Sequence, residues 1–289
     1  FFLTMSLLFI LSLAFTEALQ ISPPTSLSTP SYQHRYYILR HGETDANASG
    51  KIQGSSDFSR LTERGRDQAA HAAIRAFGGT KEGENLSSFP AVEEDDLNSS
   101  QPKITLPPMD HIYVSPLTRA LETLSILRQN TCASKLPDGH TVLHELREID
   151  LYGWEGRDKY DLKSNDAQSY EAWEVGDPYN FVVDGKRPLV ELWSRAEQVW
   201  DVIRRHQQQQ DFEGIGHGES SIGSDTLLVC HGSLGQALLC TAFGWDETHF
   251  RKYEFPNCGL VEISWVPLEE RARNWRWHLP ELSDVKNVY

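Results

Sequence analysis

Short apolar runs that favour β-structure alternate along this chain with longer segments whose apolar residues recur at helical spacing. Residues 35–39, 111–114, 226–230 and 259–265 are predicted strands. Residues 61–77 are a predicted helix, with alanines on one face, and similar stripes follow the later strands. Such alternation predicts an α/β fold, a three-layer sandwich in which helices cover both faces of a mainly parallel central sheet.

Several local signals set the expected ends of these elements. Thr62 is a predicted N-cap for the first long helix. Ser115 and Pro116 are predicted to open the next helix, with Ser115 as its N-cap and Pro116 at its first position. Residues 141–146 are predicted to form another strand. Residues 275–279 fit either an edge strand or a docking tail, and the pattern leaves both open.

The predicted domain begins after an amino-terminal leader and contains one insertion. Residues 6–15 resemble a signal-peptide core, and residues 16–33 are rich in Ser, Thr and Pro, as in transit peptides. The leader, residues 1–33, therefore predicts delivery to a plastid, with the secretory pathway as the alternative. Residues 34–289 are predicted to be a single domain, in which residues 78–108 form a disordered surface insert.

Composition narrows the classes of partner. The chain of 289 residues is 39% hydrophobic and 24% charged, with a formal net charge of −14. Because nucleic acids and anionic membranes are bound by clustered Lys and Arg, neither is expected as a partner of the mature protein. A small phosphorylated substrate remains compatible, since a pocket can be positive inside an acidic body. The oligomeric state is left open.

Two His-Gly pairs follow predicted strands. His41-Gly42 comes after the first strand, and His231-Gly232 comes after the strand at 226–230. Ligands of open α/β sheets bind outside the carboxyl ends of the strands. The two imidazoles are therefore candidates for one site, although a single histidine is more often structural.

Two arginines accompany these histidines. Arg40 precedes His41, and Arg119 lies in the first turn of the helix expected to open at Ser115. A helix N-terminus and a guanidinium fork both favour phosphate oxygens. Together these groups predict a phosphate cradle with no metal-ligand set, while a surface salt bridge from Arg119 to Glu122 is the structural alternative.

A carboxyl group for acid–base chemistry is expected in the segment that follows residues 141–146. Glu148 precedes a turn rich in aromatic residues and glycine, where apolar surroundings would favour a protonated carboxyl group. Glu145, Asp150 and Glu155 lie close by in sequence. Spacing alone does not choose among the four.

Together these motifs resemble the histidine phosphatase superfamily, the phosphoglycerate-mutase-like proteins. Residues 40–44 with Asn47, residues 115–120, residues 146–156 and residues 230–232 are similar to its signatures and occur in the same order. Further likeness is to a plant plastid branch that includes 2-carboxy-D-arabinitol-1-phosphate phosphatases. The resemblance implies a phosphoglycerate-mutase-like fold.

The resemblance also implies roles for individual residues and no metal or organic cofactor. His41 would attack phosphorus and carry it as phosphohistidine, which requires its other ring nitrogen to donate to a backbone carbonyl. Glu148 would protonate the leaving oxygen and then activate water. The remaining site residues would bind phosphate oxygens or line the pocket: Arg40, Arg119, His231, Asn47, Gln53, Gly54 and Gly232.

The predicted function is hydrolysis of a small phosphorylated metabolite, a sugar or sugar-acid phosphate such as 2-carboxy-D-arabinitol 1-phosphate. Two alternatives remain. A mutase would return the phosphoryl group to another oxygen of the substrate, and a pseudo-enzyme would bind phosphorylated ligands without turnover. The mutase would use the same nucleophile as the phosphatase, so the two differ only in whether water reaches the phosphohistidine.

Overall fold

A computed structural model describes four ranges of the chain: residues 34–79, 105–215, 223–265 and 274–279. The predicted leader lies outside the described residues, as does most of the predicted insert. At the end of that insert, Leu106 is buried and its N–H donates to the carbonyl of Ala76. The chain therefore packs against the preceding helix before it enters the next strand.

Six strands of the described residues form one sheet. They are β1 (His34–Arg40), β2 (His111–Val114), β3 (Thr141–Val142), β4 (Asp225–Cys230), β5 (Leu260–Trp265) and β6 (Asn274–Leu279). Their order is β3-β2-β4-β1-β5-β6. The first four strands run parallel to their neighbours, whereas β5 pairs antiparallel with both β1 and β6. The predicted mainly parallel sheet is confirmed, and residues 275–279 belong to an edge strand.

The described helices are α1 (Asp45–Ala48), α2 (Glu63–Phe77), α3 (Thr118–Gln129), α4 (Lys159–Asn165), α5 (Ala167–Val175), α6 (Pro188–Ile215) and α7 (Gly232–Ala242). None of them is long and apolar enough to cross a membrane. The predicted N-cap of α2 is confirmed, because the Thr62 side chain accepts from the N–H of Gly65.

The alternating side chains of β1 divide the core into two layers. Tyr36 and Ile38 pack in a cluster with the buried faces of α6 and α7. Tyr37 and Leu39 point to the opposite side, where they pack in a second cluster with α2 and α3. Helices thus cover both faces of the sheet, and the predicted three-layer sandwich is confirmed.

The start of α3 differs from the prediction. The helix begins at Thr118 rather than at Ser115-Pro116, and its N-cap residue Leu117 offers no side-chain hydrogen bond. Asp57, from a distant loop, caps the helix instead. One of its oxygens accepts from the Thr118 N–H at 2.8 Å and the other from the Thr118 hydroxyl at 2.6 Å. A loop more than sixty residues away supplies a cap that local sequence could not reveal.

The predicted strand over 141–146 is also shorter than expected. Only Thr141–Val142 pairs with β2, and a 3₁₀ turn at His144–Leu146 follows. Leu143 and Leu146 are both buried. A spacing of three suits a turn, whereas a strand would send these side chains to opposite faces.

Candidate active site

The sheet register brings three chain segments to one edge. Arg40 in β1 pairs with Cys230 in β4, and Val114 in β2 pairs with Val229 in β4. The residues that follow these strands therefore emerge together. His41 and His231 have ring centroids 5.1 Å apart at an interplanar angle of 61°, and both are buried. The predicted juxtaposition of the two imidazoles is present.

The tautomer of His41 is set by its own backbone. Its Nδ1 lies 2.7 Å from the carbonyl oxygen of Gly42, which can only accept a hydrogen bond, so Nδ1 carries the proton. Burial and the guanidinium groups of Arg119 and Arg40 hold the pKa of His41 well below its usual value. The predicted contact with a backbone carbonyl is confirmed, and Nε2 is left with a free lone pair for attack.

The orientation of His231 depends on Ser115. The Ser115 hydroxyl oxygen accepts from the N–H of Leu117 at 3.3 Å and lies 2.7 Å from Nε2 of His231. The hydroxyl can donate to Nε2, and in that tautomer the ring proton lies on Nδ1, which has no hydrogen-bond partner among the described residues. Burial, Arg119 and His41 keep the pKa of His231 well below its usual value. Ser115 is thus a partner of the imidazole rather than the helix cap that was predicted.

Arg119 is a fully buried side chain, which excludes the surface salt bridge considered for it. Its Nη1 donates to the carbonyl of Ser56 at 2.9 Å and its Nη2 to that of Gly54 at 2.8 Å. Glu122, the alternative partner, instead lies 3.4 Å from Arg66. Burial lowers the pKa of Arg119, and the nearby Glu148 carboxylate opposes that shift.

Glu155 organises the loop that receives Arg119. Its Oε1 accepts from the N–H groups of Ser55 and Leu151 at 2.9 Å, and its Oε2 accepts from the N–H of Ser56 at 3.0 Å. Gly54 permits this contact, because a Cβ there would lie 2.1 Å from Glu155 Oε1. Glu155 therefore shapes the pocket wall.

Glu148 is the acidic residue of its segment whose carboxylate contacts the start of α7, directly after His231. Its Oε1 accepts from the N–H of Leu234 and its Oε2 from the N–H of Ser233, each at 3.1 Å. These donors belong to the first turn of α7, immediately after His231. The sequence suggested aromatic surroundings for this carboxyl group, but its oxygens lie at a helix N-terminus, where backbone N–H groups orient a carboxylate.

An arginine on α6 holds the backbone carbonyl of Glu148 and the side chain of Asp150. Arg195 donates from Nη2 to the carbonyl of Glu148 at 2.7 Å and from Nη1 to the carboxylate of Asp150 at 2.8 Å. Asp150 is therefore occupied by an ion pair, while Glu145 lies within the 3₁₀ turn and makes no such contact among the described residues.

Arg40 is held by the chain that leads into β5. Its Nη1 donates to the carbonyl of Phe255 at 2.6 Å. Gly232 leaves room for the guanidinium, since a Cβ at this position would lie 3.2 Å from Arg40 Cζ. Burial lowers the pKa of Arg40, and the Glu148 carboxylate acts in the opposite direction.

Asn257 is a site residue that the sequence analysis missed. Its Nδ2 donates to the carbonyl of His41 at 3.1 Å and to Oδ1 of Asn47 at 3.4 Å. The Asn47 oxygen also accepts from the N–H of Thr44, so its amide nitrogen remains for a ligand. Because β5 runs antiparallel to β1, residues before β5 reach the edge where β1 ends. A search rule based on the carboxyl ends of parallel strands does not cover such a position.

Four polar atoms at this edge are buried without a hydrogen-bond partner among the described residues. They are Nε of Arg40, Nε of Arg119, Nδ1 of His231 and the side-chain oxygen of Gln53. The oxygen and nitrogen of Gln53 are exchangeable by an amide flip, so its orphan atom is equally a donor. Buried polar groups are normally paired. Converging unpaired donors around His41 fit an anion.

Metal binding has no such support. Among the residues that the structure describes, no group of three or more His, Cys, Asp or Glu side chains is arranged to hold a metal ion.

Comparisons with known proteins agree with this geometry. The family model of the histidine phosphatase superfamily (branch 1) matches residues 36–87 and 101–278. The 2-carboxy-D-arabinitol-1-phosphatase of Triticum aestivum is 30% identical over 233 residues, which are 81% of this chain and 37% of that protein. The chain thus spans well under half the length of this plant relative.

A bacterial relative and a solved structure extend the comparison. The Cronobacter sakazakii protein named "Probable phosphoglycerate mutase GpmB" is 27% identical, over 83% of this chain and 88% of its own length. The structure of mycobacterial glucosyl-3-phosphoglycerate phosphatase superposes with a TM-score of 0.58 and 22% identity, covering 85% of this chain and 97% of that one. With its four ordered motifs gathered at one sheet edge and the family model matching most of its length, the chain belongs to the histidine phosphatase superfamily.

Proposed function

We propose that this protein is a phosphatase that hydrolyses a small phosphorylated metabolite through a phosphohistidine at His41. The observation that carries the proposal is the set of unpaired buried donors around a neutral imidazole. A phosphoryl group placed against His41 would give Arg40, Arg119 and His231 the partners they lack.

In the first step, Nε2 of His41 attacks phosphorus in line with the leaving oxygen. The N–P bond forms as the P–O bond to the substrate breaks. Glu148 enters this step protonated, gives its proton to the leaving oxygen and becomes a carboxylate. The guanidinium groups and the Nδ1 proton of His231 stabilise the charge on the non-bridging oxygens. Such preorganised donors contribute the most when they are fixed before the reaction, as the carbonyl contacts of Arg119 fix its side chain.

In the second step, water attacks the phosphohistidine and Glu148 accepts its proton. The N–P bond breaks, inorganic phosphate leaves and His41 returns to its neutral form. The Nδ1–H contact with Gly42 persists through both steps, so Nε2 is presented with a free lone pair after each turnover.

The proposed substrates are sugar or sugar-acid phosphates, with 2-carboxy-D-arabinitol 1-phosphate among the candidates. The name of the plant relative supports this class. Loops around residues 152–168 and 176–187 are proposed to form the pocket rim. We also propose a plastid location. This proposal is based on residues 1–33 and is independent of the catalytic mechanism.

The test is to trap the intermediate. The protein is mixed with a ³²P-labelled substrate and quenched in alkaline denaturant, because phosphohistidine hydrolyses in acid. We expect label on the peptide that contains His41, and no label and no turnover with His41→Ala. Turnover by the wild-type protein with label absent from that peptide would contradict the proposal.

A product assay separates the mutase from the phosphatase. The protein is incubated with 3-phosphoglycerate and a bisphosphoglycerate primer, and free phosphate and isomerised product are both measured. We expect free phosphate to dominate. Isomerised product with little free phosphate would favour the mutase, and binding without either product would indicate a pseudo-enzyme.

A further inference from the structure

A further guanidinium group lies beside the site with no part in the reaction above. Arg251 stacks on the indole of Trp173, with Cζ 4.2 Å from the ring centroid. Its Nε also donates to the carbonyl of Trp173 at 3.4 Å. The residue as a whole is exposed, while its guanidinium packs among protein atoms and forms no ion pair with any residue that the structure describes. Its two terminal nitrogens therefore remain available to a ligand.

The backbone of Arg251 is tied to the catalytic end of α7. Its N–H donates at 3.1 Å to Oε1 of Gln236, a buried side chain one turn beyond the N–H groups that hold Glu148. Further along the same segment, the carbonyl of Phe255 accepts from Arg40. The segment that carries Arg251 is thus anchored to the site on both sides.

The conformation of Arg251 is unusual for its residue type. It has a φ of 68°, in the left-handed region that is unfavourable for a residue with a Cβ atom. Gly176, at the end of α5, allows the close packing that holds it there. A Cβ on Gly176 would lie 2.7 Å from the carbonyl oxygen of Phe250. Strain of this kind is concentrated at functional sites.

The charges around Arg251 connect it to the site. Burial lowers its pKa, the carboxylates of Glu174 and Glu148 raise it, and Arg40 lowers it again. The guanidinium therefore shares its electrostatic surroundings with a proposed catalytic carboxylate and with a phosphate-binding arginine. A ligand that fills the phosphate cradle could reach it with a second group.

We propose that Arg251 binds a carboxylate carried by the substrate and so selects sugar-acid phosphates over neutral sugar phosphates. This inference rests on the proposed phosphatase function. A planar guanidinium fork matches a carboxylate, and stacking on Trp173 holds the fork in one plane. One guanidinium with Glu174 close by suits a monoanion better than the dianion of a second phosphate.

The test compares matched substrates that differ by one carboxylate. Values of kcat/KM are measured for 3-phosphoglycerate against glycerol 3-phosphate, and for 6-phosphogluconate against glucose 6-phosphate. We expect the wild-type protein to prefer the acid of each pair. Arg251→Met should lower the acid-to-neutral ratio by about tenfold or more, since a hydrogen-bonded charged contact is lost. An unchanged ratio would overturn the inference.

Arg204 offers a matched control. It stacks on Trp265 with Cζ 5.6 Å from the ring centroid, on a different part of the sheet. Arg204→Met should leave the ratio at its wild-type value. If Arg251→Met instead lowers kcat/KM equally for acid and neutral substrates, Arg251 only supports the fold and the inference fails.

A binding experiment keeps this inference separate from the phosphohistidine mechanism. In the His41→Ala protein, calorimetric titration with 3-phosphoglycerate and glycerol 3-phosphate needs no turnover. We expect tighter binding of the acid, and loss of that preference when Arg251→Met is added. Equal affinities of the His41→Ala protein for the two ligands would contradict the carboxylate contact, whether or not a phosphohistidine is detected in the wild-type protein.

Discussion

At the scale of single residues, the site depends on side chains whose hydrogen bonds leave only one atom free to react. His41 uses Nδ1 on the carbonyl of Gly42, and His231 uses Nε2 on Ser115. Each imidazole therefore keeps one ring nitrogen that makes no hydrogen bond with the described residues. Glu148 differs, because both of its oxygens accept from N–H groups of α7, which fix the orientation of the carboxyl group.

The proposed role of Glu148 makes a prediction that depends on the leaving group. Glu148→Gln cannot transfer a proton, so kcat for an alkyl phosphate should fall by roughly 10²–10⁴. The loss should be much smaller for p-nitrophenyl phosphate, whose phenolate leaves without protonation. Initial rates of phosphate release on both substrates measure the difference.

Glu145 provides the control for that variant, because it lies on the same segment without contacting α7. Glu145→Gln should retain wild-type rates on both substrates. A loss in Glu148→Gln that is equally large for the two leaving groups would instead assign Glu148 to positioning.

At the scale of elements, the loop after β1 and the start of α2 approach each other more closely than side chains allow. A Cβ on Gly42 would lie 2.2 Å from the carbonyl oxygen of Gly65, and a Cβ on Gly65 would lie 2.0 Å from that of Glu43. Both positions require glycine, because a side chain would clash with the backbone of the other segment. This contact presses α2 against the residues that carry the candidate nucleophile.

Gly65→Ala tests that contact. Helix propensity alone predicts stabilisation by about 1 kcal/mol for alanine inside a helix. The clash with backbone atoms should reverse the sign and lower the free energy of unfolding by about 3 kcal/mol. Urea denaturation followed by circular dichroism measures the change.

Gly79→Ala is the matched substitution. Among the described residues, a Cβ there meets only Ile74, at 3.6 Å, so the variant should be neutral or slightly more stable than the wild-type protein. Equal stability of the two variants would show that α2 moves away without cost.

Elements also show what the sequence could predict and what it could not. The proximity of the two imidazoles could be predicted, because each one follows a strand and parallel strands end at the same edge of the sheet. The choice of Glu148 over Asp150 could not be made, because it depends on Arg195 from α6 and on the first turn of α7. Asn257 could not be predicted in this way, because it precedes β5, which runs antiparallel to β1.

At the scale of the whole molecule, burying two neutral histidines makes stability depend on pH. Both pKa values lie well below the unfolded value of about 6.5. Above about pH 6.5 the two histidines are unprotonated in both the folded and the unfolded protein. Below it the unfolded chain binds protons that the folded protein does not, so stability falls as the pH falls.

The size of this effect can be measured. Each histidine should contribute up to about 1.4 kcal/mol per pH unit below pH 6.5. His41→Gln should therefore show a shallower loss of unfolding free energy between pH 7 and pH 5 than the wild-type protein, as measured by urea denaturation at each pH. Identical slopes would mean that His41 is protonated in the folded protein.

The position of β1 in the sheet has a consequence for synthesis on the ribosome. This strand lies between β4 and β5, and Arg35 binds Asp225, 190 residues later in the chain. A nascent chain therefore exposes both edges of an apolar strand until β4 and β5 have emerged. Because the same pairing unites the two imidazoles, no amino-terminal fragment that ends before β4 can assemble the site, and activity reports completion of the fold.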